Sequence, residues 1–507
     1  MMKNWKYFII VTLISPFSLS AFSGGVPTSD ASALSSAPAH LPEDPPNIVF
    51  IMSDDQGYGQ AGSYNENCGI KTPGIDRIAQ EGIRFTDAHS ASSVCTPTRY
   101  ALLTGRYNWR TQLQKGVLKS GAPPLIAKET MTIQRFLKKQ GYQTAMVGKW
   151  HLGFSYDLPP GTEMDTRHFW GAAPVDSKVI EGPLERDFDF YHGFHHAGEM
   201  RTWIEGDTVT ENLESPERML PRIASSSVNY IRERGVKADG PFFLYVPLNS
   251  PHSPIVPSEI WQGTSGLGDY SDFVQQSDHA VVEILNALDQ AGLAENTIVF
   301  FTTDNGTSAR HAKPEALKAK GYDPLGGLRG AKSDAWEGGH RVPYVVRWPG
   351  VIEPGSISDE TICHNNLLAT CAELLGSELA DDEGVDSFSI LPLLRGEPTA
   401  DATHPYVIHH SIRGIFAIRQ GPWKLIAAEG SGGWSDGSDG LPAQLYNLKN
   451  DPGEQVNLIL TETDKAIELA DLLEQAVRQG RTRPGSLQSN DVEVTIWKDS
   501  GRPDFLN

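Results

Sequence analysis

Cysteine is scarce: four residues among 507, at positions 68, 95, 363 and 371. So sparse a set excludes a disulfide scaffold. Cys363 and Cys371 fall in what reads as one helix, where eight residues span roughly 12 Å, beyond disulfide reach. Cys68 reads as free. Positive charge is also short. Lys and Arg number 43 against 63 Asp and Glu, for a formal net charge of −20 and a pI near 5.2. Without an overall basic field to release counterions, nucleic acid is excluded as a partner. An anionic substrate must then be met by a local cluster of cations or by a metal, against the global field. Long apolar runs are missing past the N-terminus, so no integral membrane segment is expected in the mature chain.

The N-terminus itself carries Lys3 and Lys6, an apolar run from Tyr7 to Phe17, and then small residues. This is the pattern of a signal peptide over residues 1–23, with cleavage after Ala21 or Ser23. No cysteine closes the apolar run, which disfavours a lipid anchor. Residues 24–45 are rich in Ser, Ala, Pro and Gly and read as a flexible lead-in. The expected location is periplasmic or secreted.

From residue 46 the chain alternates regularly. Asn47–Met52, Gln143–Val147, Pro241–Pro247, Thr297–Thr302 and Tyr344–Trp348 are short apolar runs of the kind that parallel strands buried on both faces show. Helical patterns separate them: 72–82, opened by Thr72-Pro73 and closed by Gly82, then 130–140, 273–293 and 365–375. This predicts an α/β fold with a large, mostly parallel sheet sandwiched by helices over residues 46–400. Beyond that point the texture changes to short strands and one late helix, 463–480. Residues 401–507 read as a smaller α+β C-terminal domain with a short antiparallel sheet.

The polar clusters fall just past the carboxyl ends of the strands, where open α/β sheets bind ligands. They group Asp54, Asp55, Cys95, Arg99, Lys149, His151, His252, Asp304, Asn305 and Lys332. Asp54 and Asp55 are adjacent carboxylates, which repel unless something positive lies between them; the same pair also reads as a plain turn. With Asp304 and Asn305 they offer oxygen only, which points to a hard cation, Ca²⁺ ahead of Mg²⁺. Arg99, Lys149 and Lys332 suit an oxyanion. His151 and His252 suit proton transfer near neutral pH. Cys95 stands just before a helix N-terminus in Cys95-Thr96-Pro97-Thr98-Arg99, where free amides favour an anion.

Several of these segments together resemble the formylglycine-dependent (type I) sulfatases of the alkaline phosphatase superfamily, the arylsulfatase-like group. The motifs are Ser-Asp-Asp-Gln-Gly at 53–57, Cys-Thr-Pro-Thr-Arg at 95–99 with Leu-Thr-Gly-Arg at 103–106, and Gly-Lys-Trp-His-Leu-Gly at 148–153. Thr-Asp-Asn-Gly at 303–306, Arg-Gly-Ala-Lys at 329–332 and Glu-Gly-Gly-His-Arg-Val-Pro at 337–343 come after them in family order. The departures are small: Arg-Gly-Ala-Lys stands where Gly-Gly-Lys is common, and Thr98 where Ser or Ala is usual.

The resemblance implies an alkaline-phosphatase-like fold and hydrolysis of sulfate esters. It implies that a formylglycine-generating maturation enzyme converts Cys95 to formylglycine (3-oxoalanine), which is hydrated to a diol. One hydroxyl, bound to a Ca²⁺ held by Asp54, Asp55, Asp304 and Asn305, would attack sulfur. His252, aided by Lys332, would protonate the departing alcohol, and His151 would be the base that expels sulfate. Lys149 and Lys332 would hold sulfate oxygens, while Arg99 and His151 would hold the diol.

A sulfated carbohydrate, from marine algal polysaccharide or glycosaminoglycan, is the expected substrate. Trp170, His195, His196, Trp203, His311 and Trp336 are candidates for sugar contacts, although for any one of them ordinary packing or a solvated histidine is the favoured reading. Two rivals stand beside this reading. One is a phosphodiesterase or phosphonate hydrolase of the same superfamily, and the other a non-catalytic module that binds sulfated glycans.

Overall fold

Five strands form the middle of the molecule: β1 (Asn47–Asp54), β2 (Gln143–Lys149), β3 (Phe190–Phe194), β4 (Phe242–Pro251) and β5 (Thr297–Thr303). In the computed structural model, which describes residues 44–506 apart from 168, 398–402 and 499–500, they lie in the order β5-β1-β4-β2-β3. Every neighbouring pair among them is parallel. The predicted signal peptide, nearly all of the lead-in and the predicted boundary at residue 400 lie outside the described residues.

Side chains alternate across the sheet, so each strand feeds two cores. Ile48, Phe50 and Met52 pack on one face with Phe243, Tyr245 and Phe300. Val49 and Ile51 pack on the other with Leu244, Val246 and Phe301. All eight residues of β1 are buried, which is why its apolar run is unbroken. Each such side chain stabilises the fold by about 1.5–3 kcal/mol relative to exposure.

Helices cover both faces. α1 (Pro73–Gln80), α3 (Met219–Lys237) and α4 (Asp269–Gln290) cover the second face, and α2 (Cys95–Thr104) the first. All ten residues of α2 are buried.

The sheet continues to twelve strands, and its flanks are largely antiparallel. Tyr344–Arg347 runs antiparallel to β5, and Thr202–Glu205 antiparallel to β3. The sheet is therefore mixed, with its parallel part at the centre. A separate four-stranded antiparallel sheet (Val407–His410, Phe416–Gln420, Trp423–Ile426, Gln444–Asn447) packs against α5 (Thr463–Arg478) through Leu469, Ala470 and Leu473.

Two local expectations differ. Thr72 precedes α1, but its hydroxyl accepts from Gly62 N and does not cap the helix. The free amides of Gly74 and Ile75 donate instead to the Asp278 carboxylate of α4, each at 2.8 Å. Cys363 lies in the two-residue strand Ile362–Cys363, not in the helix Leu367–Leu374 that holds Cys371. The Cys363 amide donates to Asn366 Oδ1, so the helical turn begins only after it, at His364–Asn366. All four cysteines are free.

Candidate active site

The carboxyl ends of four of the five parallel strands deliver the polar residues to one edge of the sheet. Asp54 ends β1, Lys149 ends β2, His252 follows β4, and Asp304 and Asn305 follow β5. Cys95 is the first residue of α2. Backbone geometry makes this convergence possible. Asp55 (φ 72°), His151 (φ 55°) and Ser333 (φ 86°) all occupy the left-handed region, turning the chain sharply where it leaves a strand or passes the site. Such positions cost on the order of 1–3 kcal/mol each and persist where surrounding packing holds them. Two glycines permit close backbone contact beside the site. A Cβ on Gly148 would lie 2.0 Å from Pro247 O, and one on Gly306 would lie 1.8 Å from Gly338 O.

The charged groups interlock. Lys149 Nζ donates to Asp54 Oδ2 at 2.6 Å. Lys332 Nζ meets Asp55 Oδ1 at 2.6 Å and approaches Cys95 Sγ at 3.6 Å. Arg99 donates to Asp304 Oδ2 through Nη2 at 2.7 Å and Nε at 3.2 Å, and to Lys149 O through Nη1. Asn305 Nδ2 donates to Asp55 Oδ1 at 2.8 Å. Cys95 Sγ lies 3.5 Å from Asp54 Oδ1, and His252 Nε2 lies 3.8 Å from Asp55 Oδ2. Three acids thus face three cations, and all six are buried.

Burial opposes ionisation of Asp54, but Lys149, His252 and Arg99 outweigh it and hold its carboxyl below the usual range. Asp55 is likewise held low against burial, by Lys332 and His252. Burial pushes the Cys95 thiol up, with Asp304 adding to it, so the side chain is no thiolate at neutral pH. Burial, then Lys149 and the neighbouring His196 and His195, depress His151 well below its ordinary value. His252 is lowered by burial and Lys332. His151 is therefore neutral at pH 7 and keeps a lone pair, while His252 gives up its proton more readily than a free imidazole. His151 Nε2 contacts Leu118 O at 2.9 Å, and its buried Nδ1 has no hydrogen-bond partner.

All ten sequence-predicted residues are therefore brought together. Ligand atoms of Asp54, Asp55, Cys95 and His252 lie within 4.8 Å of one another. Asn305 Oδ1 is buried without a hydrogen-bond partner. The Asp54, Asp55 and Asp304 carboxylates and the orphaned Asn305 oxygen are donors of the kind a hard divalent cation takes, and they stand beside the Cys95 sulfur and the His252 imidazole.

The candidate sugar contacts divide. Trp203 and Trp336 are buried in the protein, as is His195, and Trp170 is exposed. His311 does reach the site, lining a cavity of about 680 Å³ with Asp55, His252, Lys332, Arg310 and Trp434. Sequence reasoning misses Trp434, because it lies in a Gly/Ser/Asp-rich loop more than a hundred residues from Lys332. Its backbone amide donates to Ser333 Oγ and Asp334 Oδ1 at 2.9 and 3.0 Å, which fastens that loop beside Lys332.

The family model described as Sulfatase matches residues 46–377. An N-acetylgalactosamine-6-O-sulfatase of Bacteroides thetaiotaomicron is 31% identical over 483 residues, covering 85% of this chain and 92% of that protein. Arylsulfatase A of Bos taurus is 33% identical over 458 residues, covering 86% and 87%. A solved sulfatase structure from work on glycosaminoglycan metabolism by B. thetaiotaomicron superposes with a TM-score of 0.74 at 28% identity, covering 85% of this chain and 99% of that one. The family match spans the five central strands and the turns past their ends, and the fold is the alkaline-phosphatase-like arrangement of sulfatases. The chain belongs to the sulfatase family and is a sulfuric ester hydrolase.

Proposed function

We propose that the protein releases inorganic sulfate from a sulfated carbohydrate, using Cys95 carried as formylglycine and a Ca²⁺ ion. The observation that carries this reading is the position of Cys95. It stands at the start of a buried helix, within 3.6 Å of Lys332 Nζ and 3.5 Å of an Asp54 oxygen. With its thiol pushed up by burial, unmodified Cys95 is a poor nucleophile; formylglycine, once hydrated, supplies an oxygen nucleophile instead. Asp54, Asp55, Asp304 and Asn305 would hold the Ca²⁺, which supplies positive charge to offset that of the developing anion. With three acids and three cations already balanced, a divalent ion leaves a net positive site suited to a sulfate monoester.

The remaining roles are read from position. Lys149 and Lys332 bind the nonbridging sulfate oxygens. Arg99, fully buried, fixes Asp304 and the carbonyl of Lys149, and so orients both walls. His252 faces the cavity and gives its proton to the departing alcohol oxygen. His151, neutral and with Nδ1 unengaged, draws a proton when sulfate leaves. Trp434, 58% exposed on a fastened loop, offers a flat apolar face to a sugar ring.

The relatives that act on N-acetylgalactosamine 6-sulfate and on glycosaminoglycans support a carbohydrate substrate. Residues 46–400 would form the catalytic domain and 401–507 a C-terminal subdomain that contributes Trp434. A maturation enzyme and a periplasmic or secreted location complete the proposal, the latter on the leader at 1–23. Among the described residues no helix is long and apolar enough to cross a membrane. The test compares turnover of an aryl sulfate with that of aryl phosphates and phosphonates. Sulfate release at least about a hundredfold faster, as kcat/KM, supports the reading. Preference for a phosphorus ester contradicts it.

A further inference from the structure

The active-site cavity does not end at His311. Arg310 and His311 also line a second cavity of about 290 Å³, together with Asp269, Tyr270, Lys313 and Lys320. The two spaces therefore share a wall. They are tied at the floor as well, because the Tyr270 hydroxyl donates to Asp55 O at 2.9 Å. The Asp55 and Lys332 charges both act on His311, which places the shared wall close to the catalytic groups.

The charge on this wall is unusual for a chain of net charge −20. Arg310, Lys313 and Lys320 are all exposed. None has a side-chain hydrogen bond or ion pair among the described residues, whereas nearby Lys318 pairs with Glu315 and Asp323. Asp269 is the one carboxylate on the lining. Lys313 sits at φ 49° between two short helices, Ala309–Ala312 and Pro314–Lys318. That corner is what puts three cations from eleven residues around one space. Unpaired cations that converge on a cavity beside an anion-processing site favour a second anion there.

We infer that this second cavity is a subsite for a further anionic group, so that the preferred substrate is a saccharide bearing more than one negative charge. The group is a carboxylate or sulfate on the sugar next to the one being desulfated. The inference rests on the sulfate-ester reading above and names the substrate class for it.

Binding tests this independently of turnover. Calorimetry on the Cys95→Ala chain, with and without Lys313→Gln/Lys320→Gln, compares a chondroitin 6-sulfate tetrasaccharide with N-acetylgalactosamine 6-sulfate; Arg310 is kept, because it also lines the active-site cavity. The double substitution should weaken the tetrasaccharide about tenfold and flatten its salt dependence. The monosaccharide should change by no more than about twofold. If the double variant does not fold, the single variants Lys313→Gln and Lys320→Gln, both at exposed positions, should each show part of the loss. Reducing the uronic carboxyls separates the sources. An effect that disappears assigns the contact to carboxylate, one that survives assigns it to sulfate, and either supports the subsite. Equal tetrasaccharide affinity with and without the substitutions, equal absence of binding included, overturns it. Aryl sulfate turnover by the unsubstituted chain separately tests the hydrolase reading, and its failure would leave the binding result to stand or fall alone.

Discussion

Replacing Arg99 with Gln removes the guanidinium that holds Asp304. Arg99 and Asp304 are both fully buried. The guanidinium gives Asp304 Oδ2 two hydrogen bonds, at 2.7 and 3.2 Å, and stands 3.7 Å from Asp54. After substitution Asp304 keeps the amide of Asp55 on Oδ1 but loses the cation beside its other oxygen. Breaking a buried pair from one side costs about 3–5 kcal/mol, because a charge remains without compensation. Arg99→Gln should therefore lower stability by that amount in chelator, measured from urea midpoints at unchanged slope. Adding Asp304→Asn removes the orphaned charge. The double variant should then recover about 1–3 kcal/mol relative to additivity. Arg99→Lys keeps the charge but cannot reach both Asp304 and Lys149 O, so it should fall between. A loss below about 1 kcal/mol in Arg99→Gln, or strict additivity with Asp304→Asn, would refute the claim that this pair organises the strand ends.

Three other outcomes are expected. Burial raises Asp278 from 3.8 to about 7 despite the two amides it accepts. The native state then binds the extra proton, so this contribution is full below pH 3.8 and is lost as pH rises toward 7. The stability advantage of the native chain over Asp278→Asn should shrink by about 2–4 kcal/mol across that window, and an advantage that grows with pH would contradict it. Chelation should abolish sulfate release, and Ca²⁺ at a thousandfold excess over its Kd should restore it and add about 4 kcal/mol to stability; full activity in chelator would exclude the metal. Trp434→Ala should reduce kcat/KM on saccharide sulfates about tenfold and remove the quenching of tryptophan fluorescence by bound ligand.

Much of the fold is readable because its central strands are buried on both faces. That burial forces runs such as Ile48–Met52 to be wholly apolar, and the polar residues then mark where each strand stops. Seven of the ten site residues lie at those stops, whereas Cys95 and Arg99 of α2 and Lys332 in a later loop are marked by their motifs. Contact between distant segments stays hidden. Asp278 caps a helix 204 residues away, and nothing near Thr72 announces it. Trp336 and Trp203 look like Trp434 in sequence, but the first two are core and only the third faces the cavity. A buried network is equally invisible. Lys424 lies 3.0 Å from Glu337 and from His340 Nε2, and Arg419 lies 2.6 Å from Asp87, joining the C-terminal sheet to the strands before Cys95. Each member reads alone as a solvated charge, and only packing removes it from water.

The central claim is that the acting group at position 95 is no longer a cysteine. Mass spectrometry of the peptide containing residue 95, from protein produced with a formylglycine-generating enzyme, should show a loss of about 18 Da relative to cysteine. The modified fraction should track sulfate release across preparations. Full activity in a preparation whose residue 95 is entirely unmodified cysteine, or in Cys95→Ala, would contradict the account.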